Sequence, residues 1–156
     1  MAFRCIPIDT ETAAGFRARE LDDGGNVILR RVADGPSPCR HCLRDARDGE
    51  DLLLLSWHLP RPRGIYWTPS PIFLHAGECP RFDAPDVIPD IVRSRLVSVR
   101  AYDAGGMCLY DLGHAGEGAD IDAPLTRAIG DRRTAFVNIH TAKPGCLLCQ
   151  VERFTD

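Results

Sequence analysis

The sequence predicts an α+β fold: a single globular domain over residues 1–156, with a mostly antiparallel sheet and two or three short helices packed on it. Three observations lead there. Apolar residues alternate with polar ones along several segments, the period of a half-buried strand. Strand-like segments follow one another with turn clusters between them, without the regular strand-helix alternation of a parallel sheet. A chain of 156 residues, 44% hydrophobic and 26% charged, is large enough for one core and close to the globular average.

In chain order, Phe3 to Ile8 reads as an opening strand, and Thr10 is placed to cap a short helix through Leu21, which the Asp22-Asp-Gly-Gly25 turn ends. Asn26 to Val32 is the next strand, broken by Gly35-Pro-Ser-Pro38 just before the first cysteine pair. Leu52 to Trp57 is almost continuously apolar, as a strand covered on both faces would be. Leu59 to Pro71 is too rich in proline for regular structure, and Ile72 to His75 is a short strand after it. Val87, Ile88, Ile91 and Val92 have helical spacing within Pro85 to Arg95, with Pro89 in the first turn. Leu96 to Asp103, the Ala104-Gly-Gly106 turn and Met107 to Leu112 read as a hairpin. Asp122 to Ile129 is a short helix, Thr134 to His140 is a strand, and a terminal strand follows the second cysteine pair through Phe154. The sheet is expected to be built around Leu52–Trp57, Leu96–Asp103 and Thr134–His140.

A net charge of -3 provides no basic field for a polyanion, which argues against nucleic acid as a partner and leaves a small molecule or another protein. No apolar run, Leu52 to Leu55 included, approaches the roughly 20 residues of a membrane span. The opening residues hold no apolar stretch of signal-peptide length, so a soluble cytoplasmic protein is expected. In a reducing compartment an odd set of 7 cysteines points to free, metal-bound or redox-active thiols and not to a paired disulfide framework.

Four of the thiols form two C-x-x-C pairs, Cys39-Arg-His-Cys42 and Cys146-Leu-Leu-Cys149. Such a loop can turn both sulfurs toward one point, and two loops supply the tetrahedral thiolate set that suits zinc. The expected metal ligands are therefore Cys39, Cys42, Cys146 and Cys149. Two features oppose this set. Neither pair is followed by the glycine that lets backbone amides approach the sulfurs, and in a strand Cys146 and Cys149 point to opposite faces and serve as small buried residues. His75-Ala-Gly-Glu-Cys79 is a second chelating pair, so Cys39, Cys42, His75 and Cys79 form the alternative set. A dithiol redox role for Cys39 and Cys42 is a third reading, because Arg40 and His41 between them favour thiolate. Cys5 and Cys108 are expected in the core.

An enzyme reading rests on other residues. His140 ends a strand and is followed by Thr141-Ala-Lys-Pro-Gly145, while Arg100, Tyr102 and Asp103 close a neighbouring strand and offer a guanidinium to a carboxylate or phosphate. These four are the candidate catalytic residues, and Cys146 is a nucleophile only if His140 reaches its sulfur. No Walker loop, G-x-G-x-x-G, H-E-x-x-H or G-x-S-x-G motif is present.

The order Pro38-Cys39-Arg40, Ser70-Pro71-Ile72-Phe73, Arg100-Ala-Tyr-Asp103 and His140-Thr-Ala-Lys-Pro-Gly-Cys146 resembles the bacterial family catalogued as domain of unknown function 1203. That family usually has His-Asn-Ala where this chain has His140-Thr141-Ala142. The resemblance implies a small single-domain bacterial protein and assigns no activity. The leading expectation is a zinc-binding module with a structural site.

Overall fold

Five of the alternating segments pair into one antiparallel sheet in the order β1 (Phe3–Ile6), β8 (Leu147–Arg153), β7 (Phe136–Thr141), β5 (Leu96–Tyr102) and β6 (His114–Glu117). The computed structural model describes residues 2–154, so Met1, Thr155 and Asp156 of the expected domain lie outside the described residues. Alternate positions of this sheet, among them Val97, Val99, Val137, Ile139, Cys149 and Val151, make one apolar face. It is covered by α2 (Asp90–Arg93), through Ile91 and Val92, and by α3 (Asp122–Gly130), through Leu125, Ala128 and Ile129. Each large side chain buried there contributes roughly 1.5–3 kcal/mol. The opposite face carries Ser98, Arg100, Asn138, His140 and Gln150. The proline-rich segment covers part of it: Asn138 donates to the Arg61 carbonyl at 3.2 Å, and Arg61 Nε donates to Gln150 Oε1 at 3.2 Å.

The α+β class with antiparallel pairing and short helices is as expected. The single sheet is not: β3 (Asp51–His58) lies at the centre of a separate three-stranded sheet, between β2 (Leu29–Val32) and β4 (Pro69–His75). Pro69 and Pro71 have no N–H to give a further neighbour, and β4 ends that sheet. β4 also starts inside the segment expected to be irregular. The second core gathers Leu53, Leu55, Trp57, Ile72 and Leu74 under Ala13 and Phe16 of α1 (Thr10–Ala18). Leu147, the first residue of β8, packs into it and joins the two sheets.

Three further expectations are corrected. The cap of α1 is Asp9, whose carboxylate accepts the Thr12 N–H at 2.7 Å, and the helix ends at Ala18. Pro89 sits before α2 as its cap, and the helix is a single turn. The hairpin turn at Ala104–Gly106 forms, with Asp103 N–H on the Met107 carbonyl at 3.0 Å and Leu109 N–H on the Ala101 carbonyl at 2.9 Å about a Tyr102–Cys108 bridge, but the expected strand stops there: Tyr110–Leu112 is a 3-10 turn, and the rest of β5 pairs with the weakly apolar His114–Glu117. Asp103 shapes the turn, because its carboxylate accepts the N–H groups of Gly105 and Met107.

Candidate metal centre

The first cysteine pair lies on a tight loop. Cys39 N–H donates to the Arg44 carbonyl and Leu43 N–H to the Cys39 carbonyl, at 3.0 and 2.9 Å, and Pro38 bridges to Asp45. Leu43, directly after Cys42, has a φ of 53°. This is the left-handed conformation that glycine ordinarily supplies after such a pair. It lets the Cys42 and Arg44 amides approach the sulfurs of Cys39 and Cys42. A leucine held there costs about 1–3 kcal/mol, a strain that survives only where its surroundings fix it. Arg40 N–H donates to the Phe73 carbonyl at 3.0 Å and lays the loop along β4. The end of β4 supplies His75, and the next turn returns Cys79 to the same place.

One ligand atom each from Cys39, Cys42, His75 and Cys79 lies within 4.8 Å of the others. The Cys39 and Cys79 sulfurs are 3.8 Å apart, and Cys42 Sγ is 3.5 Å from His75 Nδ1. The backbone N–H of His75 donates to Cys39 Sγ at 3.3 Å. His75 Nε2, on the far side of the ring, is 3.1 Å from Glu50 Oε2, and Arg44 holds the same carboxylate at 3.1 Å. Cys79 has two polar neighbours: Arg17 Nη2 donates to its sulfur at 3.5 Å, and His41 Nδ1 lies 3.3 Å away.

The electrostatics of the three thiols are interdependent. Hydrogen bonds from Cys42 and Cys79 hold the Cys39 thiol far below its ordinary value. Hydrogen bonding with Cys39 pushes Cys42 and Cys79 up. The three thiols therefore do not ionise independently: a proton leaving Cys39 makes those of Cys42 and Cys79 harder to remove.

The four-cysteine set is not assembled. Cys149 lies within β8, opposite Ile139 on the apolar face, and its thiol is raised by hydrogen bonding with Cys5 and by burial. Cys146 precedes the strand, and its sulfur meets Arg40 and Thr141 instead of the metal cluster. The link expected from a shared metal is made by Arg40, which is only 2% exposed. Its guanidinium donates to the Leu147 carbonyl at 2.7 Å, the Pro38 carbonyl at 2.6 Å and Cys146 Sγ at 3.0 Å, so the early loop is tied to the β7–β8 hairpin by hydrogen bonds.

The candidate catalytic residues do not converge. Arg100 and Tyr102 line a cavity of about 640 Å³ together with Tyr66, Cys108 and Tyr110, and neither His140 nor Asp103 is on its wall. Cys108 thus faces a cavity and is not a core residue. His140 is buried, and its Nδ1 donates to the Gly145 carbonyl at 2.9 Å, a contact that shapes the hairpin turn. It is not among the partners of the Cys146 sulfur. Glu50, Arg17 and the second role of His41 escaped the sequence reading. Glu50 is 25 positions before His75, and no spacing pattern connects them.

The fold and cluster define a class: a small α+β domain with a three-cysteine, one-histidine cluster able to hold a metal. The chain belongs to the family described as Protein of unknown function (DUF1203), which it matches over residues 36–153, in agreement with the resemblance of its motifs. No curated protein and no solved structure matches it. No helix among the described residues is long and apolar enough to cross a membrane.

Proposed function

We propose that the chain is a zinc-binding module in which Cys39, Cys42, Cys79 and His75 Nδ1 hold one structural Zn²⁺. The spacing of the ligand atoms carries the reading. A tetrahedral zinc with Zn–S of about 2.3 Å and Zn–N of about 2.05 Å requires S···S edges of roughly 3.8 Å and S···N edges of roughly 3.5 Å. The Cys39–Cys79 and Cys42–His75 separations are 3.8 and 3.5 Å.

The surrounding groups fit this ion. Glu50 on His75 Nε2 fixes the tautomer that leaves Nδ1 free, the usual carboxylate–histidine–zinc relay. Three thiolates and Zn²⁺ leave a net charge of -1, offset by Arg17, whose Nη2 donates to Cys79 Sγ at 3.5 Å. Four protein ligands close the coordination sphere, so the zinc holds the Cys39 loop to the end of β4 and does not activate water. The test is X-ray absorption on protein loaded with one equivalent of zinc. Three sulfurs near 2.3 Å and one nitrogen near 2.05 Å are expected. Four sulfurs, or failure to retain zinc, would refute the reading.

A further inference from the structure

Cys146 has a setting of its own, separate from the metal cluster. Its sulfur is 3.0 Å from Arg40 Nη2 and 3.0 Å from Thr141 Oγ1. The Thr141 hydroxyl accepts the Cys146 backbone N–H at 3.1 Å and lies 3.5 Å from the Cys146 carbonyl, so it holds the residue on both sides of the sulfur. The Arg40 guanidinium thus places a buried positive charge directly on the sulfur, and the Thr141 hydroxyl lies within hydrogen-bond reach of it. The sulfur lies on the wall of a cavity of about 320 Å³. The rest of the wall is apolar, with Leu54, Ile72, Phe73 and four prolines. Arg95, the other charged side chain there, is neutralised by Asp45 at 2.6 Å.

We propose that Cys146 is a reactive thiol whose substrates are organic hydroperoxides. The apolar wall receives the organic group, and the two donors that hold the sulfur also face the peroxide oxygens as they approach it. The sulfur lone pair attacks the terminal peroxide oxygen: an S–O bond forms, the O–O bond breaks, and the alkoxide leaves with the electron pair. The alkoxide takes the proton given up by the thiol, so that Cys–SH and ROOH become Cys–SOH and ROH, with sulfur oxidised by two electrons and the peroxide reduced by two. A small-molecule thiol restores the site: the first equivalent displaces water and forms a mixed disulfide, and the second releases Cys146 as thiol. Arg40 and Thr141 stabilise the negative charge that develops on the leaving oxygen.

The experiment treats the full chain, as purified, with cumene hydroperoxide, traps sulfenic acid with dimedone, and measures each cysteine by peptide mass spectrometry. Cys146 is expected to be labelled at least about tenfold faster than Cys108, a half-buried thiol on another cavity. Equal rates overturn the proposal. Thr141→Val, nearly isosteric, is expected to slow labelling about tenfold while Thr141→Ser retains most of it, and an unchanged rate in Thr141→Val overturns the role of the hydroxyl donor. Cumene hydroperoxide is expected to outpace hydrogen peroxide; the reverse order overturns the assignment to organic hydroperoxides. Zinc content is followed in the same samples, so that oxidation of Cys146 is distinguished from loss of the metal cluster.

Discussion

The two C-x-x-C pairs have the same spacing and opposite fates. Cys39 and Cys42 sit on a loop that Leu43, at a φ of 53°, turns back on itself, and their sulfurs converge. Cys146 and Cys149 straddle the start of β8, where the pleat sends side chains to alternate faces, and their sulfurs part: one into a cavity, the other into the core. Spacing alone does not make a chelate. The backbone between the cysteines decides, and here it is set by whether the strand ladder has already begun.

The largest expected effect separates the pairs directly. At free zinc 1,000 times the dissociation constant, binding to the native state adds about 4 kcal/mol, or roughly 8–16 °C in Tm for a chain of this size. Cys39→Ser is expected to abolish that rise in a zinc titration followed by thermal melting, while Cys146→Ser retains it. If Cys146→Ser also loses the response, the second pair belongs to the centre and the comparison fails.

The next effect sharpens the difference through pH. His140 holds the hairpin that presents Cys146, and burial, aided by the positive charges of Arg100 and Arg40, lowers its pKa to about 4. Protonation would place a second N–H at Nε2, a buried atom with no hydrogen-bond partner among the described residues. The folded value lies below the unfolded value of about 6.5, so the unfolded chain takes up the proton first. Stability from the neutral ring is fully present above pH 6.5 and is lost as pH falls toward 4, by about 3 kcal/mol in all. Between pH 6.5 and 4 the stability measured in denaturant melts should fall by about 3 kcal/mol more in the parent than in His140→Gln, and parallel curves would refute it.

Much of this architecture was legible in the sequence, and the failures have local causes. Apolar patterning located β1, β5, β7 and β8, and an almost unbroken apolar run located β3, since each has one face or both in a core. It could not find β6, whose His-Ala-Gly-Glu has no apolar side to show, nor divide the strands between two sheets, which depends on which edges prolines close. The site was half legible. His75 and Cys79 stand four residues apart and could be proposed as chelating partners, but a leucine in a glycine's conformation hid the fitness of the first loop. Glu50 reaches His75 only because Asp51 and His75 lie at neighbouring ends of β3 and β4.

Glu50 gives a smaller effect confined to the first pair. Arg44 hydrogen bonding lowers its carboxyl to about 2, so it stays charged over the working range and holds His75 Nε2–H. Glu50→Gln is expected to weaken zinc binding by about 10–100-fold in a competition titration with a chromogenic chelator, because the ring loses the partner that orients it. An affinity within twofold of the parent would show that His75 is positioned by the backbone alone.

The smallest effect is the most exacting test of the comparison. Cys149 is buried against Cys5, with Val151 of its own strand and Ile139 of the next on the same apolar face, and no metal ligand is among its neighbours there. Replacing it with valine substitutes one small apolar side chain for another of similar volume, which ordinarily costs less than about 1.5 kcal/mol once the surroundings repack. Cys149→Val is therefore expected to melt within a few degrees of the parent, to bind one zinc with unchanged affinity, and to leave Cys146 free to react. Metal analysis and melting of the same preparation check both halves. A drop in zinc content would mean that the strand opens to offer its second thiol. Retention of zinc with a large loss of stability would instead show that the core around Cys5 fits its sulfur and tolerates no branched substitute.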